Sequence, residues 1–385
     1  MKSFSYTVTN KDRALRRGIV IGACALVFGL TFALYWPTRT YAFLNYDDND
    51  YVYATPEVTN GLSWASVKWS FGDTATKTSN WHPLTFLSLM ADVTCFGVDS
   101  GAMHLHNAAL HACNGVGVFL LLWFLLQRLF LRGRLGDASL PAVWAALFGA
   151  LLWALHPLRV ESVAWVAQRK DVLSVFWLLI GALAFLRKTP EREWLEVVVL
   201  GGYAFAFMGK PTAVIFPALL ILMEYALKRR VRWSDMTGYF LFALIFAVVT
   251  ICAQKAVISK ELPLLMRVMN AIASVGDYLW GTVYPVGLAV FYPYEQPIPA
   301  LRMARGVLAV LGLAHLLWTP LLALLRRHPP VEGPARGREE GENAQRSSVE
   351  EGDQLIRGLL LGFGWFFASL LPVIGLVHVG IASHA

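Results

Sequence analysis

Residues 19–36 read I-V-I-G-A-C-A-L-V-F-G-L-T-F-A-L-Y-W, an apolar run that contains no charged side chain. As a helix it reaches about 27 Å, close to the roughly 30 Å of hydrocarbon in a bilayer. Lys11, Arg13, Arg16 and Arg17 precede it, and N-Y-D-D-N-D at 45–50 follows soon after. Positive charge, apolar run and acidic cluster in that order predict a spanning helix with its amino terminus inside. The start resembles a secretion signal, but the run carries no small-residue cleavage site, so retention as an anchor is expected.

Further apolar runs recur at Leu105–Leu126, Leu140–Leu155, Val172–Leu186, Trp194–Met208, Ala213–Leu227, Tyr239–Ala253, Val307–Leu325 and Leu355–Val377. They predict an all-α, polytopic transmembrane bundle of about nine spans. Composition agrees: 56% of the 385 residues are hydrophobic and only 15% charged, where soluble domains carry about a quarter. Mean hydropathy is +0.51. The net charge of +7 is explained by position, since basic clusters fall on alternate loops at Arg128–Arg134, Arg187–Arg192, Lys228–Arg232 and Arg326–Arg338. That is the positive-inside pattern, and it leaves no need for a nucleic-acid partner. The four cysteines, Cys24, Cys95, Cys113 and Cys252, show no metal-binding or redox spacing.

Three segments qualify this plan. Residues 37–103 form a long first loop, predicted extracytoplasmic, with the acidic cluster at its start and juxtamembrane helices within it. In that loop Trp64, Val67 and Phe71 are spaced as one face of an interfacial helix. The run Val268–Val290 holds Asp277, Pro285 and several glycines, and it predicts a re-entrant or interfacial segment rather than a full crossing. Residues 330–353 are polar, aromatic-free and of mixed charge, the composition of a flexible linker, here cytoplasmic, within a single domain spanning 1–385.

The polar residues fall on one side of this topology. Asp47, Asp48 and Asp50 follow the first run, and His82 precedes the second. His104, Asn107 and His111 follow at i, i+3 and i+7, on one face of a helix. The connection after Leu155 carries His156, Arg159, Glu161, Arg169, Lys170 and Asp171, and Lys210 lies at a later turn. If that connection is helical, Glu161 and Gln168 share a face. The convergence predicts an outward-facing pocket holding both acids and bases. Each cluster also has a plain structural reading: His104, Asn107 and His111 as interhelical hydrogen bonds, His156-Pro157 as a helix end, and the cations as interfacial anchors. The histidine spacing does not make a metal site.

With these motifs in hand the chain resembles the membrane region of the tetratricopeptide-repeat-associated O-mannosyltransferase-like proteins of the GT-C superfamily. The resemblance runs in order through N-Y-D-D (45–48), N-W-H-P-L-T (80–85), H-L-H-N-A-A-L-H (104–111) and H-P-L-R-V-E-S-V-A-W-V-A-Q-R-K-D-V-L (156–173). It continues with G-K-P (209–211), L-A-V-F-Y-P (288–293) and L-L-P-V-I-G-L-V (370–377). It implies transfer of a sugar, mannose or another hexose, from a polyprenyl-phosphate carrier to an acceptor hydroxyl at the non-cytoplasmic face. The family's acidic pair falls on Asp47 and Asp48, its His-Pro-x-x-x-Glu element on His156, Pro157 and Glu161, and its Arg-x-Asp on Arg169 and Asp171. Arg159 stands where relatives often carry histidine, and Gly281 where they carry lysine. Relatives also continue past the position of Ala385, into an Asp-Arg-Tyr segment whose arginine suits a carrier phosphate.

The implied chemistry is an inverting displacement in which Asp47, or Asp48 beside it, takes the acceptor proton. Arg169, Lys170, Lys210 and Arg159 are the cations expected to stabilise the leaving phosphate. His82, His104, Asn107, His156, Glu161 and Asp171 are expected to orient sugar or acceptor. A single phosphate leaving group requires no metal or other cofactor, and the acceptor is a protein or a glycan. The alternative is a truncated or inactive module that binds carrier or partner without turnover; a transporter is disfavoured because the clusters sit at helix ends. The expected location is a bacterial inner membrane, with the site facing the periplasm.

Overall fold

In a computed structural model the structure describes residues 10–72, 81–130, 140–253, 263–289, 297–325 and 339–375, with 292, 293 and 295. It is built of helices, and no extended strand occurs among the described residues. The longer helices are α1 (Asn10–Tyr35), α2 (Trp64–Gly72), α3 (Pro83–Phe96), α4 (Ser100–Phe130), α5 (Leu140–Ala154) and α6 (Arg169–Arg187). They continue as α7 (Leu195–Gly209), α8 (Phe216–Ala226), α9 (Trp233–Ala253), α10 (Leu264–Val283), α11 (Ala300–Leu325) and α12 (Glu339–Leu370).

The expected count of about nine spans is not confirmed. Among the described residues 4 helices are long and apolar enough to cross a bilayer, or 5 when α5 and residues 157–164, bent by 55°, count together. The first, Ala14–Thr40, takes in most of α1 and the 3-10 turn after it, and the other three are parts of α4, α9 and α11. Several predicted runs form shorter helices. The 15 residues of α7 rise only about 22 Å, and the apolar run of α6 begins behind Arg169, Lys170 and Asp171. The several apolar helices make this an integral membrane protein.

The chain forms two compact units, residues 1–213 with 246–254, and residues 214–245 with 255–385. In the first, α4 is the central helix and packs against α1, α5 and α6, while α6 packs along α7. Ala23, Val27, Phe119, Val143, Ala146, Leu147 and Ala150 fill the α1–α4–α5 core. Small side chains let α6 and α7 approach: a Cβ on Gly202 would stand 2.8 Å from the Trp177 carbonyl oxygen and 3.0 Å from the Gly181 nitrogen. Close backbone contact of this kind takes the place of hydrophobic driving force between helices in lipid. A second core, with Tyr51, Val52, Phe86, Leu89, Met90, Met103, Trp165 and Val166, joins the loop after α1 to α3 and to residues 165–167. This core supports the polar site.

The second unit pairs α8 with α12 and α10 with α11. Of the segment predicted to be re-entrant or interfacial, Val290 lies outside the described residues, and residues 268–283 belong to one unbroken helix, α10. That helix is not among the candidate spans, and Pro285 lies beyond its end. Its Asp277 does not face lipid alone: Arg302 Nε of α11 lies 2.6 Å away and Arg305 Nη2 3.7 Å. The neighbouring Gly276 and Gly306 let the two backbones touch. Of the segment predicted as a linker, 330–338 lie outside the described residues, and from Glu339 onward it is part of α12.

Within the first loop α2 forms as predicted, with Trp64 and Phe71 exposed and Ser66 and Ser70 buried beneath. The connection after α5 departs from expectation. It is not one helix but a 3-10 turn Pro157–Arg159, a short helix Val160–Ala164, an extended Trp165 (φ −106°, ψ 121°) and a second turn Val166–Gln168. Glu161 and Gln168 therefore do not share a helical face.

Candidate active site

Breaking a helix leaves backbone groups without their usual partners, and inside a membrane protein these must be met by side chains. The polar stripe of α4 meets them. Asn107 Nδ2 donates to the Trp165 carbonyl at 3.0 Å, His111 Nε2 lies 2.9 Å from the Ala154 carbonyl, and Asn114 Nδ2 donates to Val172 O at 2.8 Å. His104, fully buried, lies 3.5 Å from Ala42 O. Of the residues expected to orient substrate, His104 and Asn107 thus bond the protein's own backbone. His156 does likewise: its Nδ1 accepts from Leu158 N at 3.2 Å and caps the first 3-10 turn.

The acidic pair divides in the same way. Asp48 is fully buried; its Oδ2 accepts from Leu44 N at 2.8 Å and its Oδ1 from Ala167 N at 2.7 Å. Burial pushes its carboxyl above the ordinary carboxylate value, against the pull of those two N–H groups. Asp47, next in sequence, points elsewhere. Its side chain is 37% exposed and its Oδ2 lies 3.5 Å from Lys170 Nζ. The Lys170 ammonium also sits over the rings of Tyr51, at 4.8 Å, and Trp165, at 5.9 Å, where aromatic faces favour a cation.

Asp171 Oδ1 lies 2.5 Å from Lys210 Nζ, each side chain 23% exposed, and Ser162 Oγ donates to Asp171 Oδ2 at 3.2 Å. Desolvation would raise the Asp171 carboxyl, but the charges of Lys210 and Lys170 hold it below the ordinary value. His82 is buried, with Nδ1 3.0 Å from the Tyr51 hydroxyl. Burial first, then the charges of Lys170 and Lys210, keep its imidazole well below its ordinary pKa and therefore neutral. Glu161 is in electrostatic reach of Asp171, Lys210, Lys170 and Arg159. The Arg159 guanidinium lies over the Trp153 ring at 5.5 Å. The structure thus brings Asp47, His82, Glu161, Lys170, Asp171 and Lys210 together, from four separate stretches of chain.

Arg169 corrects a sequence expectation. Predicted to meet a phosphate, it is instead completely buried. Its Nη2 bonds Asp92 Oδ2 at 2.7 Å and Met103 O at 3.0 Å, and its Nη1 bonds Ser88 Oγ at 2.8 Å. Nη1 also lies 2.9 Å from His106 Nδ1, and Nε bonds Asn107 Oδ1. Every nitrogen of the guanidinium is spent on protein. Ser88, Asp92 and His106 are partners that sequence reading missed. Thr85, Ser88 and Asp92 fall at i, i+3 and i+7 in a mostly apolar helix, the same signal that singled out the histidines of α4. Among the described residues no group of three or more metal-ligating side chains converges.

The fold and site define an integral membrane protein whose helix ends and loops gather an ion-paired polar cluster. Comparison with known proteins adds a direction. The chain is 30% identical over 218 residues to the protein O-mannosyl-transferase Tmtc1 of Drosophila melanogaster, covering 55% of this chain and 23% of that protein. It is 30% identical over 176 residues to Tmtc2 of the same organism, 44% of this chain and 17% of that protein. With the protein O-mannosyl-transferase TMTC1 of Mus musculus it shares 29% over 187 residues, 47% and 18% respectively. The chain therefore spans about a fifth of the length of these relatives. No family model matches it, and no solved structure does. These relatives support the resemblance drawn from the motifs.

Proposed function

We propose that the chain is the membrane core of a GT-C-type glycosyltransferase. It would move a hexose, such as mannose, from a polyprenyl-phosphate carrier to a hydroxyl of a protein or glycan acceptor at the extracytoplasmic face. Residues 37–103 are its extracytoplasmic loop, and the amino terminus is cytoplasmic. The observation that carries the reading is the different use of two adjacent carboxylates. Asp48 is consumed by backbone N–H groups, whereas Asp47 is solvent-accessible beside Lys170. A base must reach its substrate proton, and only Asp47 of this pair is open to do so.

In the reaction the acceptor O–H gives its proton to the Asp47 carboxylate as its oxygen attacks the anomeric carbon. The bond from that carbon to the carrier phosphate breaks on the opposite face, which inverts the centre. The leaving lipid phosphate gains negative charge, and Lys170 and Lys210, with Arg159, are the cations placed to meet it. Glu161 and the neutral His82 are left to hold hydroxyl groups. Both lysines already face carboxylates, Lys170 with Asp47 and Lys210 with Asp171. That self-neutralised arrangement favours the second reading, a module that holds carrier or partner without turnover.

Purified protein in detergent, given a polyprenyl-phosphate sugar labelled in the sugar, separates the two readings. Release of label from the carrier only when acceptor is added supports the transferase. Saturable carrier binding with no release under any acceptor supports the binder and overturns the enzyme reading.

A further inference from the structure

Residues 169, 170 and 171 open helix α6 and project about 100° apart. Arg169 runs inward to α3 and α4, Lys170 to Asp47 in the first loop, and Asp171 to Ser162 and Lys210. One helical turn thus carries an internal tie and two site residues, and fixing the azimuth of one side chain fixes the other two. Gln168, the N-cap of the helix, makes no capping hydrogen bond and the preceding backbone is broken at Trp165. Asn114 holds Val172 O and Asp48 holds Ala167 N on either side, and Arg169 is the tie that runs from this turn to α3.

From this geometry we infer that Asp92 is a positioning residue for the site, acting through Arg169 on Lys170 and Asp171. Asp92 is buried, and both of its oxygens are occupied, Oδ2 by Arg169 Nη2 at 2.7 Å and Oδ1 by His106 Nδ1 at 2.6 Å. Among the described residues the carboxylate is the sole full negative charge bonded to a completely buried guanidinium whose other hydrogen-bond partners are Ser88, Asn107 and the Met103 carbonyl. A buried cation stays where its counter-charge is, so the place of Asp92 on α3 sets the place of Arg169. Ser88, one turn earlier on the same helix, holds the second guanidinium nitrogen and makes the tie directional. The inference rests on the proposed function only for the meaning of the site. The tie itself is tested without turnover.

The test is the rate at which an amine-reactive acylating reagent labels Lys170, read by mass spectrometry on full-length protein in detergent. Lys188, at the far end of α6 and paired with Glu196, is the internal reference. Asp92→Asn is expected to raise Lys170 labelling at least about threefold, and Ser88→Ala by a smaller factor, with Lys188 unchanged. Should Asp92→Asn fail to fold, the Ser88→Ala arm decides alone. Lys170 labelling equal to wild type in a folded variant overturns the inference, and so does Lys188 rising in step with Lys170. Where the wild type turns over a labelled polyprenyl-phosphate sugar, Asp92→Asn is further expected to lower kcat about tenfold, with donor KM held within about twofold. Absence of turnover in the wild type counts against the proposed function and leaves the labelling result in force.

Discussion

Replacing Asp48 by asparagine separates a structural carboxylate from a chemical one. In the native protein its two oxygens accept backbone N–H groups at 2.8 and 2.7 Å, one from Leu44 and one from Ala167. Asparagine keeps one acceptor and turns an amide donor toward the other N–H, so one charge-assisted bond is lost and a buried donor is stranded. Such a loss costs about 1.5–3 kcal/mol. Burial already disfavours the Asp48 charge, and relief of that penalty in the neutral side chain puts the net cost near the lower end. For a unit of this size, about 2 kcal/mol is a fall in Tm on the order of 5 °C. Asp47→Asn removes only a partly exposed pair at 3.5 Å, worth about 0–1 kcal/mol. Thermal unfolding of purified protein in detergent, followed by intrinsic fluorescence, reads both. If Asp47→Asn lowers Tm more than Asp48→Asn, or if Asp48→Asn leaves Tm unchanged and abolishes transfer, the assignment of roles is reversed.

Arg169→Met is expected to cost about 3–5 kcal/mol, because it leaves the Asp92 carboxylate buried without its cation; a stable variant that had merely lost carrier affinity would restore Arg169 as a phosphate ligand. His82 gives a pH signature. Its folded pKa lies well below the ordinary 6.5, so below that value the unfolded imidazole binds a proton that the folded one does not. Stability should fall as pH drops from 6.5, by up to about 1.4 kcal/mol per unit, and His82→Gln should flatten that slope in pH-dependent melts. In the second unit a Cβ at Gly306 would stand 2.4 Å from the Ile272 carbonyl oxygen, so Gly306→Ala should part α10 from α11 at a cost of about 1–3 kcal/mol. An unchanged Tm for that variant would contradict the close crossing.

Much of the site was legible because its residues are polar in an apolar background. Asp47, His82, Glu161, Lys170, Asp171 and Lys210 stood out at the ends of apolar runs, and the structure gathers them. Direction was not legible. Neighbours such as Asp47 and Asp48, or Arg169 and Lys170, have the same chemistry in sequence but opposite fates, decided by which side of a turn each faces. The departure of residues 156–168 from a continuous helix was also hidden, since V-E-S-V-A-W-V-A-Q carries no glycine or second proline to announce the break at Trp165. That break presents the Trp165 carbonyl to Asn107, so a residue expected to orient substrate bonds the backbone instead. The count of about nine spans is not confirmed among the described residues, because apolar content alone does not separate a 15-residue packed helix such as α7 from a membrane crossing.

Asp47 and Lys170 belong to one reacting site in the proposed transferase, and a double-mutant cycle in sugar transfer tests this. Asp47→Asn, Lys170→Gln and the double variant would be compared by kcat/KM with labelled polyprenyl-phosphate sugar. Residues acting as a unit predict a double variant no worse than the poorer single, a coupling of at least about 1 kcal/mol. Losses that multiply, with no coupling, would place the two groups in separate roles and contradict the account.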